Sequence, residues 1–251
     1  FGNHDQHRVA SRYGLDLADA INMLVTLLPG TSISYMGEEI AMEDTPLTWE
    51  QTVDPQGLNA GQKHYVEFSR DPERTPYQWD NTTSAGRKGG RSEYLYFVAR
   101  TVAAKYKYQN LTRRFSTNAT TWLPVNPNYL ELNLENEIIA ETSHFKVYQQ
   151  LTGLRSTKTI QLGSLNTQVL SEWIFTFSRE LEGEDTYVVL VNLGEEDVTV
   201  DLTKFYSDLP ETVIVAVASV HSGHARGHVH NPNSLVLRGK QSFVITTGEL
   251  L

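Results

Sequence analysis

With 251 residues, the chain is long enough for one large domain or two smaller ones, and for a substantial core. A net charge of −9 argues against a nucleic-acid partner, because phosphates call for a basic face; a neutral small molecule tolerates an acidic protein. There are no cysteines and hence no disulfide framework, and no apolar run nears the ~20 residues of a membrane span, the stretch 213–220 being far too short.

The chain opens on Phe1-Gly2-Asn3-His4-Asp5-Gln6-His7-Arg8 with no Met before it. This block reads as the tip of a strand running into a helix. Such a cluster at the first residue is expected to follow upstream sequence, so the lack of a leader carries no information. Residues 15–28 place Leu17, Ala20, Ile21, Leu24 and Leu28 at helical spacing, and Pro29-Gly30 ends the run. A short strand is predicted over residues 31–35. Strand, helix, strand is the unit of a (β/α)₈ barrel, whose sites lie at the C-terminal strand ends, where Asp5 falls. Residues 41–79 have little periodicity and predict a long loop with one short helix near 61–68.

Residues 87–114 are basic within an acidic chain: eight Arg and Lys stand against Glu93. A helix over 94–108 and a charged excursion both fit them. Three sequons, at Asn81, Asn110 and Asn118, fit an extracellular or cell-surface setting. Residues 143–157 predict a helix capped by Ser143, with Phe145, Tyr148, Leu151 and Leu154 on one face. After residue 161 the texture changes. Short β-rich runs at 174–177, 186–193, 198–202, 213–220, 234–237 and 242–246 alternate with turn-formers such as Gly183-Glu184-Asp185. That spacing predicts an antiparallel sandwich. His221, His224, His228 and His230 fall between two strands and read as a solvated loop, although their spacing also suits a metal.

Carboxylates placed around a sugar ring stabilise the oxocarbenium-like transition state of glycoside hydrolysis. Asp5 at a strand end suits that work, beside His4, which can donate to sugar hydroxyls. Arg8, three residues on, lies near Asp5 if the segment is helical and can hold it ionised. A surface turn capping the next helix fits the same three residues.

The longer context separates these readings. Residues 1–14 resemble the fourth signature of the α-amylase family, glycoside hydrolase family thirteen, and look closest to its insect maltase branch of α-glucosidases. Further stretches fit in order: Ser34-Tyr35-Met36-Gly37-Glu38-Glu39-Ile40, Arg70-Asp71-Pro72-Glu73-Arg74-Thr75-Pro76-Tyr77-Gln78-Trp79-Asp80, Thr121-Trp122-Leu123-Pro124 and Ser178-Arg179-Glu180.

The resemblance implies an α/β plus β fold. The C-terminal strands and helices of a (β/α)₈ TIM barrel would occupy residues 1–160, and an antiparallel β-sandwich domain residues 161–251. It implies Asp5 as a catalytic carboxylate, with His4 and Arg8 as substrate-binding residues. The family's nucleophile and acid/base motifs do not occur in this chain, and Glu38 and Glu39 match a structural loop. The implied parent is a retaining α-glucosidase acting on maltose, sucrose or short α-glucosides, with this piece inactive by itself. No cofactor and no metal are implied. Membrane attachment would need a lipid-anchored tail beyond Leu251.

A non-catalytic role is the alternative, as a transporter-associated subunit or cell-surface receptor. The missing carboxylates would decide between the two. A free-standing glycan-binding β domain lacks support, since Trp173 begins a strand. Family-like text stops after Gly86 and resumes at Phe115. Residues 87–114 therefore read as translated intron or, alternatively, as a genuine insertion forming a basic docking surface; mature transcripts distinguish the two. An incomplete barrel exposes sheet edges, so aggregation or dependence on the C-terminal domain is expected.

Overall fold

The computed structural model describes residues 1–82, 85 and 121–250. The basic stretch 87–114, its expected helix and the sequons at Asn110 and Asn118 lie outside the described residues. The chain forms two compact units.

The first unit comprises Phe1, Val9–Ser34 and Thr142–Leu251. Helix α1 (Val9–Tyr13) is joined to α2 (Leu15–Leu27) by Gly14, whose φ of 90° suits glycine. Ser143 accepts a hydrogen bond from the Lys146 amide at 3.2 Å and so starts α6 (His144–Arg155), as its position predicts. A short α7 (Lys158–Leu162) leads into the sheet. Leu17, Ala20, Met23 and Leu27 of α2 meet Val147, Leu151 and Leu154 of α6 in one apolar cluster.

The strands are β1 (Ser164–Val169), β2 (Ile174–Glu180), β3 (Tyr187–Asn192), β4 (Val198–Val200), β5 (Val213–Ala218), β6 (Val229–His230), β7 (Leu235–Leu237) and β8 (Ser242–Thr246). Six of them form one antiparallel sheet in the order β1-β2-β3-β8-β5-β6, and β4 pairs with β7 in a second. Alternation divides β3 between two cores. Tyr187, Val189 and Val191 face the helices, while Val188 and Leu190 pack with Val200, Leu235 and Leu237 of the small sheet. Both faces of β3 are thus covered, and all six of its residues are buried.

The C-terminal carbonyls of α2 lack intrahelical partners and are met by two arginines. Arg179 donates from Nη1 to Leu27 O and from Nη2 to Gly163 O, both at 2.8 Å. Arg155 donates to Thr26 O, and to Gly30 O at 2.5 Å. Buried Asp19 joins α2 to α6 through His144 Nδ1 at 2.9 Å, and to the turn at Val220 through that residue's amide at 2.9 Å.

The second unit comprises Gly2–Arg8 and Tyr35–Glu141. It contains α3 (Pro55–Ala60), α4 (Tyr65–Phe68) and α5 (Leu134–Ile139), with 3₁₀ turns at Glu38–Ile40, Trp49–Gln51, Pro72–Arg74 and Pro127–Leu130. The short helix expected near 61–68 is α4, and a further helix, α3, precedes it and ends at Gly61, whose φ is 78°. Polar side chains hold these loops. Asp71 Oδ2 accepts from the Val53 and Asp54 amides at 2.7 and 2.8 Å, and Thr45 and Thr75 share a hydroxyl hydrogen bond at 2.8 Å.

Two sequence expectations are corrected. Residues 31–35 take no regular secondary structure and join no described ladder, and Ile33 is largely exposed; β-branched residues favour extension, yet a strand needs a hydrogen-bonded neighbour. Residues 3–6 form a turn bridged from Gln6 N to Asn3 O rather than a strand tip.

Candidate active site

The Asn3 side chain accepts the Asp5 amide at 2.8 Å. This local turn presents His4 and Asp5 at its tip, with side chains 69% and 49% exposed. Asp5 Oδ1 accepts from Arg74 Nη2 at 2.5 Å and from Arg70 Nη1 at 3.1 Å, while Oδ2 lies 3.5 Å from His4 Nε2. Arg74 also donates from Nε to the His4 carbonyl at 2.6 Å, so one guanidinium grips both tip residues. The Pro72–Arg74 turn sets this geometry. Its C-terminal end is fixed by Trp122, whose indole donates to Arg74 O at 2.8 Å.

Arg70 has its own anchor. Asp54 takes the guanidinium in a two-point pair, Nη2 to Oδ1 at 2.7 Å and Nε to Oδ2 at 3.0 Å, and accepts the Arg70 amide at 2.8 Å. The Arg70 hydrogen bond outweighs burial and holds the Asp54 carboxyl at about 2. For Asp5, desolvation pushes the carboxyl up. His4, Arg74 and Arg70 together overcome that effect, and the group sits below its ordinary value. The outcome is an accessible, ionised carboxylate flanked by an imidazole and two guanidinium groups. Its oxygens can accept from hydroxyl groups and can face developing positive charge.

Arg8 is placed elsewhere. Helix α1 begins only at Val9, so the spacing of three from Asp5 is not helical. The Arg8 side chain is fully buried; Nη1 donates to Met36 O at 2.8 Å, and the guanidinium lies 5.1 Å from the Tyr35 ring centre. Gly37 makes room for it. At φ 94°, a Cβ there would stand 2.5 Å from Met42 Sδ and 2.8 Å from Arg8 Nη1. Glu39 closes the same turn by accepting the Gly37 amide at 2.8 Å, in keeping with a structural role.

The structure therefore joins His4 with Asp5 and sets Arg8 in the interior. The ion-pairing expected of Arg8 falls to Arg70 and Arg74, some 65 residues along the chain. The signal for them lay in the motif Arg70-Asp71-Pro72-Glu73-Arg74, where a turn-forming Pro lies between two arginines. In the histidine loop, ring nitrogens of His224, His228 and His230 already have neighbours. His224 Nε2 lies 2.9 Å from Val236 O, its Nδ1 lies 3.2 Å from His230 Nε2, and His228 Nδ1 accepts the Ala225 amide. A different group, His7 with Asp44 and Glu73, brings three potential ligand atoms within 4.8 Å of one another.

Comparison with known proteins sets these features in context. The model of the α-amylase catalytic domain matches residues 1–114 and 109–163. "Maltase 1" of Drosophila virilis is 39% identical over 245 residues, which is 97% of this chain and 34% of that protein. "Alpha-glucosidase" of Apis mellifera is 37% identical over 210 residues, covering 84% of this chain and 32% of that protein. The chain thus spans about a third of the length of these relatives. Among solved structures, trehalose-6-phosphate hydrolase of Bacillus licheniformis superposes with a TM-score of 0.73 at 23% identity, over 98% of this chain and 42% of that one. Trehalulose synthase of Pseudomonas mesoacidophila gives 0.69 at 25%, with the same coverage. These likenesses carry the fold: the C-terminal portion of a (β/α)₈ barrel followed by an antiparallel β domain. Taken with the family model and the insect relatives, they mean that this chain belongs to the α-amylase family, glycoside hydrolase family thirteen.

Proposed function

We propose that this chain is the C-terminal portion of a retaining α-glucosidase that removes terminal α-linked glucose from maltose, sucrose or short oligosaccharides. The observation that carries the reading is the exposed, ionised Asp5, held by Arg70 and Arg74 beside His4. In this reading Asp5 stabilises the oxocarbenium-like transition state and accepts from ring hydroxyls, and these contacts strengthen as the transition state forms. His4 binds the sugar from the same turn. Arg8 acts as a positioning residue, its buried guanidinium fixing the Gly37 loop.

Retaining hydrolysis needs two further carboxylates, a nucleophile and an acid/base. The groups that contact the Asp5 carboxylate among the described residues are basic ones, and the motifs for the other two carboxylates are absent from the sequence. Residues 1–251 alone are accordingly proposed to be inactive. The names of the insect relatives support glucosidase chemistry. An extracellular or cell-surface setting is proposed with it, supported by the exposed sequon residue Asn81. No helix among the described residues is long and apolar enough to cross a membrane.

The test compares two proteins on a chromogenic α-glucoside: residues 1–251, and the complete product of the reading frame that contains them. Turnover by the complete protein only is expected. Turnover by residues 1–251, or none by either, would overturn the proposal.

A further inference from the structure

Two residues beyond Asp5, His7 stands against two carboxylates from separate loops. Its Nδ1 lies 2.7 Å from Asp44 Oδ2 and 3.7 Å from Glu73 Oε2. The Glu73 side chain is only 1% exposed, and its Oε2 has no hydrogen-bond partner. His7 Nδ1 is likewise buried without a hydrogen bond of acceptable geometry, although the ring as a whole is 42% exposed. Buried polar atoms are ordinarily satisfied, and an orphan is costly. Here a buried carboxylate oxygen and a ring nitrogen converge on one point beside the Asp44 carboxylate.

We propose that His7, Asp44 and Glu73 bind a single divalent transition-metal ion of the Zn²⁺ or Mn²⁺ class. The donor set, one imidazole nitrogen and two carboxylates, suits these ions and neutralises their charge. Ca²⁺ is disfavoured, because it takes six or more oxygen ligands. Ligands about 2.1 Å from a common ion stand roughly 3–4 Å apart, close to the spacing already present. Opening the His7–Asp44 approach by a few tenths of an ångström suffices.

The surroundings hold these donors in place. Asp44 uses Oδ1 to accept the Arg8 amide at 2.9 Å, which leaves Oδ2 to face His7. The Thr45 amide donates to Pro72 O at 3.0 Å and ties the Asp44 loop to the turn carrying Glu73. Tyr35 Oη donates to Glu73 O at 3.1 Å. Such second contacts orient metal ligands and tune their affinity. The exposed edge of the His7 ring gives an ion a way in from solvent. The ion would pin the Asp5 turn to the Pro72–Arg74 turn. It is a structural ion and takes no part in bond cleavage.

The experiment uses the full chain, stripped of metal with a chelator and titrated with ZnCl₂ and with MnCl₂ by calorimetry, with a melting curve at each endpoint. One equivalent is expected to bind with one of the two ions, with a raised melting temperature. Glu73→Gln and His7→Gln should each weaken that binding at least ~10-fold, while His224→Gln in the histidine loop leaves it unchanged. His7 is partly exposed, so its variant decides the matter if Glu73→Gln does not fold. No stoichiometric binding of either ion, binding undiminished by His7→Gln, or binding lost in His224→Gln overturns the proposal.

Discussion

Asp54→Asn removes the anchor of Arg70 while keeping its size. The Asp54 side chain is fully buried and makes three contacts with Arg70: two to the guanidinium and one to the backbone amide. Its carboxyl sits at about 2, against 3.8 ordinarily. A gap of nearly two units, at about 1.4 kcal/mol per unit, corresponds to about 2–3 kcal/mol of stability. Because the folded value lies below the unfolded one, this contribution is complete above roughly pH 5. It declines as pH falls through 3.8 and vanishes near 2. The assay is urea unfolding of wild type and variant at intervals from pH 7 to pH 3. The variant should be less stable by about 2–3 kcal/mol at pH 7, with the gap narrowing below pH 4. A free Arg70 should also grip Asp5 less firmly, so the Asp5 carboxyl moves up towards its ordinary value. Equal stability at pH 7, or a gap that stays constant down to pH 3, would refute the reasoning.

Two further substitutions test the framework. Arg179→Met leaves Leu27 O and Gly163 O without their charged donor and should cost about 2–4 kcal/mol in urea unfolding; Arg179→Lys should recover only part of this, since an ammonium lacks the planar fork. Gly37→Ala places a Cβ against Met42 and Arg8 at φ 94°, and a loss of about 2 kcal/mol or more is expected in the same measurement.

Much of the fold was legible where one periodicity dominated. Helix α2 follows from Leu17, Ala20, Ile21 and Leu24 with the Pro29-Gly30 stop, and α6 from Ser143 and its apolar stripe. Strand β8 matches the predicted run 242–246. Strand β1 was invisible because Ser164, Asn166, Thr167 and Gln168 show no apolar alternation; it is an exposed edge held by pairing with β2. The segment 41–79 resists periodic reading for another reason. The amides of Val53, Asp54 and Arg70 are satisfied by Asp54 and Asp71 and others by local turns, rather than by a regular ladder.

The site divides in the same way. His4 and Asp5 are neighbours in sequence, so the motif discloses them together. Arg70 and Arg74 reach Asp5 only through closure of a loop some 65 residues long. Arg8 misled because a spacing of three implies proximity within a helix, and the helix starts at Val9, beyond both residues.

The central claim is that the carboxylate of Asp5 acts in the transition state of glycosidic cleavage. Its most direct test is kcat and KM of Asp5→Asn in the complete protein on a chromogenic α-glucoside, with melting curves to establish that the fold is retained. The account predicts kcat lower by about 100-fold or more with KM changed only a few-fold. A folded variant whose kcat stays within about threefold of wild type would contradict it.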